Sequence, residues 1–240
     1  MIIINKLKII LMCIAIAAMT NSFGQTASGV VIYKIQIVNN NVNVKNSSDN
    51  DLIEATLEFA NKQTATLNFN SIRSSFILNQ FLISESDNTE LRRWARSMAF
   101  IQTVLNDYFF DKSANTSIER KEKGQLVNKT NKILDWEITT ESKIIDGYLC
   151  YKAMYYDKFI NRKGVNTSVP IVAWFAPSLL YGYGPKYFNG LPGLILELND
   201  RETTFYATSI SILNNKELVI DFPTGKTTSQ EDYFKKVLSY

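Results

Sequence analysis

Alternating apolar and polar residues dominate the chain from about residue 28 onward. The β-branched and aromatic run from Val30 to Ile37 predicts a first strand. Similar short runs follow, separated by turn-forming residues, and Asp146-Gly147 is a strong two-residue hairpin signal between two of them. Short strands joined by tight turns favour an antiparallel meander. The further strands are predicted over residues 64–69, 74–83, 133–145, 148–159, 171–175, 194–198, 203–213 and 217–222.

Three segments carry helical patterns instead. Residues 89–105 space large apolar side chains three and four positions apart, behind an Asp87 and Glu90 capping pattern, which predicts an amphipathic helix. Residues 51–62 fit both a helix and a strand, and we favour the helix. Residues 229–238 predict a closing helix, with an acidic start and basic end that match the helix dipole. The fold class is therefore mainly antiparallel β (α+β): a curved β-meander sheet with one to three helices packed against it. In the helix predicted over residues 89–105, the apolar repeat consists of Leu91, Trp94, Met98, Ile101 and Leu105.

Arg92, Arg93 and Arg96 lie mostly off this apolar repeat. Three neighbouring guanidinium groups suit an anion-binding site, but charged residues also cover the solvated side of most helices. We favour the solvated face.

The N-terminus has the anatomy of a cleavable secretory signal. Two lysines precede an apolar run from Ile9 to Ala18, and this run is shorter than the ~20 residues of a membrane span. Ser22 and Gly24 are small residues at the −3 and −1 positions of a cleavage site. We predict a signal peptide over residues 1–24 and a single domain over residues 25–240. The mature protein is expected to be periplasmic or secreted, with no integral membrane span.

Charge and composition exclude several functions. Removing the predicted signal lowers the net charge from +3 to +1, which leaves no electrostatic case for nucleic-acid binding. The chain has no histidine, and Cys150 is the one cysteine beyond the predicted signal. Ser-His and Cys-His catalysis and zinc or copper sites are therefore excluded. We predict no metal and no cofactor, and interpret the mid-strand Cys150 as an inert core residue.

Carboxylate or Ser-Lys chemistry is what remains for an enzyme. Glu197 with Asp200 or Glu202 is a candidate acid–base pair, although a position at a hairpin end favours a solvated turn. No spacing singles out a Ser-Lys pair. We therefore assign no catalytic residue.

Glycine, proline and aromatic residues concentrate between residues 174 and 198. Pro192 and Gly193 fit the second and third positions of a type II turn, where the third residue needs a positive φ. The segment is either a rigid connector that sets strand register, which we favour, or a binding surface built on exposed aromatics. The candidate binding residues are Trp174, Tyr181, Tyr183, Tyr187, Phe188 and Leu191. The candidate structural motif is Gly184, Pro185, Gly190, Leu191, Pro192, Gly193, Leu194 and Ile195.

The run from Gly190 to Ile195 spells the six-residue signature of the GLPGLI family, and the chain resembles that family over most of its length beyond the signal. The resemblance implies a secreted or periplasmic protein of the Bacteroidota with no settled activity. It also implies a neighbourhood of TonB-dependent outer-membrane transporters. Other similar landmarks are Ile32-Tyr33, Trp136-Glu137-Ile138, the stretch from Asp146 to Ala153, and Ala173-Trp174.

The sequence thus favours a non-catalytic exported envelope protein, a binding or accessory module for an outer-membrane transport system. Its expected partners are such a transporter or another envelope protein, and an apolar or peptide ligand. A carboxylate- or Ser/Lys-based envelope hydrolase is the alternative.

Overall fold

The computed structural model describes residues 28–37, 47–80, 84–130, 133–161, 163–214 and 216–238. The predicted signal peptide lies outside the described residues. The helices are α1 (Ser47–Lys62), a short 3-10 helix (Glu85–Asn88), α2 (Glu90–Gln102) and α3 (Gln230–Leu238). The strands are β1 (Ser28–Ile37), β2 (Thr64–Phe69), β3 (Arg73–Leu78), β4 (Asp107–Asp111), β5 (Thr116–Arg120), β6 (Leu126–Thr130), β7 (Glu137–Ile145), β8 (Tyr148–Ile160), β9 (Asn166–Ala176), β10 (Leu194–Asp200), β11 (Thr203–Leu213) and β12 (Thr227–Ser229).

One sheet contains all twelve strands, in the order β12-β6-β5-β4-β3-β2-β1-β11-β10-β9-β8-β7. Two meanders, β2 to β6 and β7 to β11, meet at β1, because β1 pairs antiparallel with both β2 and β11. β12 adds to β6 in parallel, and the other pairings are antiparallel. The predicted mainly antiparallel β class with helices is confirmed.

The β7–β8 hairpin forms where the sequence predicts it. Asp146 has a φ of 47° and Gly147 a φ of 80°, so both central residues are left-handed, as a type I′ turn requires. Because a two-residue turn fixes the register, Ile145 lies opposite Tyr148 and Ile144 opposite Leu149.

The main core lies on one face of the sheet. Along β1, Val31, Tyr33 and Ile35 are fully buried, while Ile32 and Lys34 between them are exposed, which is the period-two pattern of a strand covered on one side. The long connection between β9 and β10 packs into the same core. A smaller cluster of Phe109, Ile118 and Leu126 packs with Phe222 of the C-terminal segment.

Helices α1 and α2 pack against each other through small side chains. Ala95 and Ala99 of α2 are fully buried and share a cluster with Phe59 and Ala60 of α1. The helical interpretation of residues 51–62 is therefore confirmed. Among the described residues, no helix has both the length and the apolar character to cross a bilayer.

Two details predicted for α2 are wrong. The N-cap is Thr89, whose hydroxyl accepts from the backbone N–H of Arg92, whereas Asp87 lies in the preceding 3-10 helix and binds the Arg92 side chain. The apolar repeat is also not the buried face: its members are between 37% and 60% exposed. The buried face is the narrow Ala95–Ala99 line, which a hydrophobicity pattern weights lightly because alanine is small.

Candidate functional site

Residues 177–193, here called the GP loop, join β9 to β10 and fold back on themselves. The backbone N–H of Gly190 donates to the carbonyl of Gly182 (3.0 Å), and the N–H of Ile195 donates to that of Tyr183 (3.0 Å). The indole N–H of Trp136 donates to the Asn189 carbonyl (2.9 Å) and so ties the loop to the segment before β7. These bonds make the loop a rigid part of the fold.

The predicted type II turn at Pro192-Gly193 is wrong. Among the described glycines of this loop, the positive φ belongs to Gly190, at 89°, and not to Gly193. Glycine is needed at Gly193 for a different reason: a Cβ there would lie 2.3 Å from the carbonyl oxygen of Ala176. At Gly184 a Cβ would lie 2.6 Å from the Cδ1 of Ile195. The two glycines therefore allow close packing: Gly193 against the backbone of Ala176, and Gly184 against the buried side chain of Ile195.

The six candidate binding residues do not form one surface. Tyr183, Phe188 and Leu191 are buried in the core, which supports the connector interpretation for them. Trp174 alternates with the buried Ala173 and Phe175, so it lies on the opposite face of the sheet.

Two aromatic residues of the GP loop keep exposed surface. Tyr187 is exposed at 37% and stacks on Phe188 with 4.5 Å between ring centroids. Tyr181 is half-buried, 4.7 Å from the Phe69 ring centroid.

A cleft of about 580 Å³ opens between the GP loop, the end of β4 and the segment before β7. Three of the six candidate binding residues line it, namely Tyr181, Tyr183 and Leu191, whereas Trp174, Tyr187 and Phe188 do not. Gly190, Pro192 and Gly193 of the candidate structural motif also line it. The other walls come from strands and turns that are distant in sequence, and no local pattern marks them. The apolar and aromatic lining consists mainly of Phe110, Ile133, Leu134, Tyr181, Tyr183 and Leu191.

One buried polar group beside this cleft lacks a hydrogen-bond partner in the described chain, and one exposed cation lacks a carboxylate partner there. The hydroxyl of Tyr183 is buried and has no hydrogen-bond partner among the described residues. Burial, with the nearby charge of Asp111, raises the pKa of Tyr183 to about 12, so the hydroxyl stays protonated at neutral pH. Lys112 lies exposed in the lining, and no carboxylate of the described chain is within ion-pair distance of its ammonium group. The cleft thus combines apolar walls with an exposed cation.

The candidate carboxylate pair is not brought together. Glu197 lies opposite Trp174 and binds Lys143 (2.6 Å), whereas Asp200 lies opposite the buried Ile171 and so belongs to the other face of the sheet. Asp200 binds Lys186 (2.8 Å) there, and Glu202 is exposed at the turn. Neither Glu197 nor Asp200 lines the cleft.

Cys150 is fully buried, and burial raises the pKa of its thiol to about 11, as suits a packing role. Within the described ranges, no group of three or more cysteine, aspartate and glutamate side chains is placed to hold a metal.

Comparison with known proteins gives a family likeness and a fold. A family model described as a protein of unknown function (Porph_ging) matches residues 158–197, which include β9 and the GP loop. No curated protein sequence matches the chain. Two solved structures of PNGF-II, in space groups P21 and C2, superpose on 89% of the chain with TM-scores of 0.52 and 0.54 at 14% and 12% identity. The chain spans about a third of the length of those structures (33% and 32%), and likeness at this identity concerns the fold alone.

Proposed function

We propose that this chain is an exported envelope protein of the GLPGLI type that binds a ligand in the cleft under its GP loop without catalysing a reaction. In this proposal it serves as a binding or accessory module for an outer-membrane transport system of the TonB-dependent kind. The signal-like N-terminus supports export. The family-model match falls on the segment that contains the GP loop, which supports a shared role for this loop.

The observation that carries the proposal is the cleft. Ligand pockets in proteins typically occupy about 300–1,000 Å³ and have apolar walls with a few polar groups, and this cleft meets both conditions. Its loop wall is held by backbone hydrogen bonds, so the site is largely formed before a ligand arrives.

The lining indicates an apolar ligand that carries an anionic group, such as a small amphipathic acid or a peptide with an apolar side chain and a carboxylate. Aromatic and aliphatic walls take the apolar body. Lys112 has no carboxylate partner in the described chain and is free to meet an anion.

Binding of 1-anilinonaphthalene-8-sulfonate, an apolar probe with one negative charge, tests this proposal. We expect saturable fluorescence enhancement in the folded protein. Lys112→Ala should weaken binding roughly tenfold, because a charge-assisted contact is lost. Leu134→Ser should also weaken it. Lys123→Ala, in the exposed β5–β6 turn outside the cleft, is the matched control and should bind as the unaltered chain does. Non-saturable binding, or equal loss in Lys123→Ala, would overturn the cleft assignment.

The accessory role is tested separately by affinity capture from envelope extracts. The tagged chain should recover an outer-membrane transporter reproducibly, and native mass spectrometry of the gently purified protein should show a co-purified ligand. Absence of both would remove the accessory role. Turnover of an envelope metabolite that depends on one acidic or hydroxyl side chain would show a hydrolase instead.

A further inference from the structure

Helix α2 carries an exposed line of large apolar side chains that neither the cleft nor the core uses. Leu91, Trp94, Met98 and Ile101, here called the α2 seam, are 37%, 60%, 40% and 55% exposed. Leu105, just beyond the end of the helix, is 41% exposed. Monomeric proteins rarely expose apolar side chains in such a continuous row unless a partner covers them.

The spacing of the seam identifies the kind of partner. Its members follow one another by three, four and three residues, which is the alternating spacing of the apolar positions in two helices packed side by side. The exposed flanking positions along the seam are mostly uncharged: Gln102 on one side, Glu90 and Ser97 on the other. An uncharged border suits a second apolar helix.

The arginines of α2 lie away from the seam, which argues against a lipid surface. Membrane-surface helices place cations beside their apolar row. Here Arg92 is bound to Glu58 and Asp87, and the Arg93 side chain donates to the carbonyl of Asn88. Arg96 is half-buried, with one nitrogen (Nη1) enclosed. None of these cations borders the seam, so its surroundings favour a protein helix.

We propose that the α2 seam packs antiparallel against the α2 seam of a second copy of this chain. The four seam positions are symmetric about residue 96, so reversing the helix places Leu91 opposite Ile101 of the second copy and Trp94 opposite its Met98. A two-fold axis between the two helices forms each of these contacts twice from the same surface. Because the seam is complementary to itself in this way, we assign a second copy of the chain as its partner. A contact between helices of 13 residues is at the small end of specific interfaces, about 1,200 Å² or less, so the dimer forms at micromolar concentration. This inference is independent of the cleft.

Analytical ultracentrifugation of the purified chain from low to high micromolar concentration tests the proposal. We expect a monomer–dimer equilibrium. Trp94→Ala and Ile101→Glu should each raise the dissociation constant at least about tenfold, because the first removes a central apolar contact and the second places a charge in the apolar contact at the end of the seam. Val219→Glu places the same charge on another exposed apolar residue and should leave the equilibrium unchanged. A monomer throughout the range, or a dimer that ignores the seam changes, would overturn the proposal.

A charge exchange tests the antiparallel arrangement. Leu91→Lys alone and Ile101→Glu alone should dissociate the dimer. The double variant Leu91→Lys/Ile101→Glu should recover dimerisation, because the new lysine and the new glutamate then face each other across the two-fold axis at two places. A double variant weaker than either single one would overturn the antiparallel pairing. Circular dichroism confirms that each variant is folded. Sedimentation with phosphatidylglycerol vesicles tests the alternative partner. If the chain stays monomeric and sediments with the vesicles only when the seam is unaltered, the seam binds a membrane and the dimer proposal is overturned.

Discussion

Gly193 sits where two backbone segments touch, and this contact decides which residue fits there. The Cβ of any larger residue would lie 2.3 Å from the carbonyl oxygen of Ala176 and 2.7 Å from its carbonyl carbon. Both atoms belong to backbone at the end of β9, so neither can rotate away. Steric exclusion, rather than a left-handed backbone, therefore requires the glycine.

We expect Gly193→Ala to lower the free energy of unfolding by roughly 1–3 kcal/mol, because an overpacked core must displace backbone. Urea denaturation measures the change. Pro192→Ala alters the neighbouring, exposed residue and is the matched control, with an expected change of less than about 1 kcal/mol. Equal stability of Gly193→Ala and the unaltered chain would contradict the close contact.

Two buried tyrosines differ in what their hydroxyls contact. The Tyr33 hydroxyl donates to the carbonyl of Ile195 at 2.5 Å, whereas that of Tyr183 has no partner in the described part of the chain. Tyr33→Phe should therefore cost about 1–3 kcal/mol of stability, because a buried carbonyl loses its donor. Tyr183→Phe should cost nothing or stabilise the protein, since it removes an unsatisfied buried group. Thermal unfolding of both variants provides the comparison, and equal losses would refute it.

At the scale of elements, tight turns fix how strands pair. The β7–β8 turn needs two residues in succession with a left-handed backbone. Glycine adopts this conformation freely, asparagine and aspartate tolerate it, and other residues adopt it only at a cost in free energy. Gly147→Ala should therefore destabilise the protein by roughly 1–2 kcal/mol, whereas Asp146→Asn should be nearly neutral. Chemical denaturation of the two variants measures the change in the free energy of unfolding. A neutral Gly147→Ala would mean that the turn has another conformation.

Asp111 joins β3, β4 and the turn after β4. Burial raises the pKa of its carboxyl, but hydrogen bonds from the Ser113 hydroxyl and from Arg73, together with the backbone N–H of Ala114, outweigh burial and lower it from 3.8 to about 2. The folded state thus favours the carboxylate. Its stabilising contribution is complete above about pH 4 and is lost as the pH falls towards 2.

We therefore expect Asp111→Asn to lower stability at neutral pH by on the order of 1 kcal/mol and to flatten the decline of stability between pH 4 and 2. Unfolding free energies measured across this range test the slope. Asp135→Asn, at an exposed carboxyl outside any ion pair of the described chain, is the control and should keep the original decline. An unchanged slope in Asp111→Asn would refute the link.

At the scale of the whole molecule, one sheet carries every strand of the described residues, and one face of it supports most of the main core. The predicted fold class is confirmed because strand period and turn chemistry are repeated many times and errors at single boundaries do not change the class. The two-meander arrangement around β1 was not predicted, since the pairing of β1 with β11 joins residues about 175 positions apart. Local pattern contains no information about such a pairing.

Export remains a prediction at this scale. A chain expressed with its full N-terminus should be recovered from the envelope or medium with Gln25 as its first residue, as N-terminal sequencing would show. Gly24→Leu should block this cleavage, because the −1 position requires a small residue. Thr26→Leu, beyond the cleavage site, should be processed normally. Recovery of the uncleaved chain from the cytosol would contradict the prediction.

The candidate site was predictable only in part. The sequence indicates the GP loop, and Tyr181, Tyr183 and Leu191 do line the cleft. Phe110, Lys112 and Leu134 complete its walls, but they come from β4, the turn after it and the segment before β7, and they carry no shared motif. Glu197 and Asp200 look like a pair in sequence, yet strand alternation over three positions places them on opposite faces of the sheet.

By itself, the sequence determined the kind of most elements, the hairpin at Asp146-Gly147 and the absence of histidine-based chemistry, because these depend on neighbouring residues and composition. It missed β4 and β5, and the strand predicted over residues 217–222 is wrong, because that segment pairs with no strand of the described chain. The tertiary structure decided which faces are buried. The large apolar side chains of α2 are exposed, and Ala95 and Ala99 are buried, because two helices approach closely only where side chains are small. It likewise decided why Gly193 is glycine, since that reason lies in the Ala176 carbonyl 17 positions earlier. Burial depends on what lies across space, and a linear pattern cannot specify that partner.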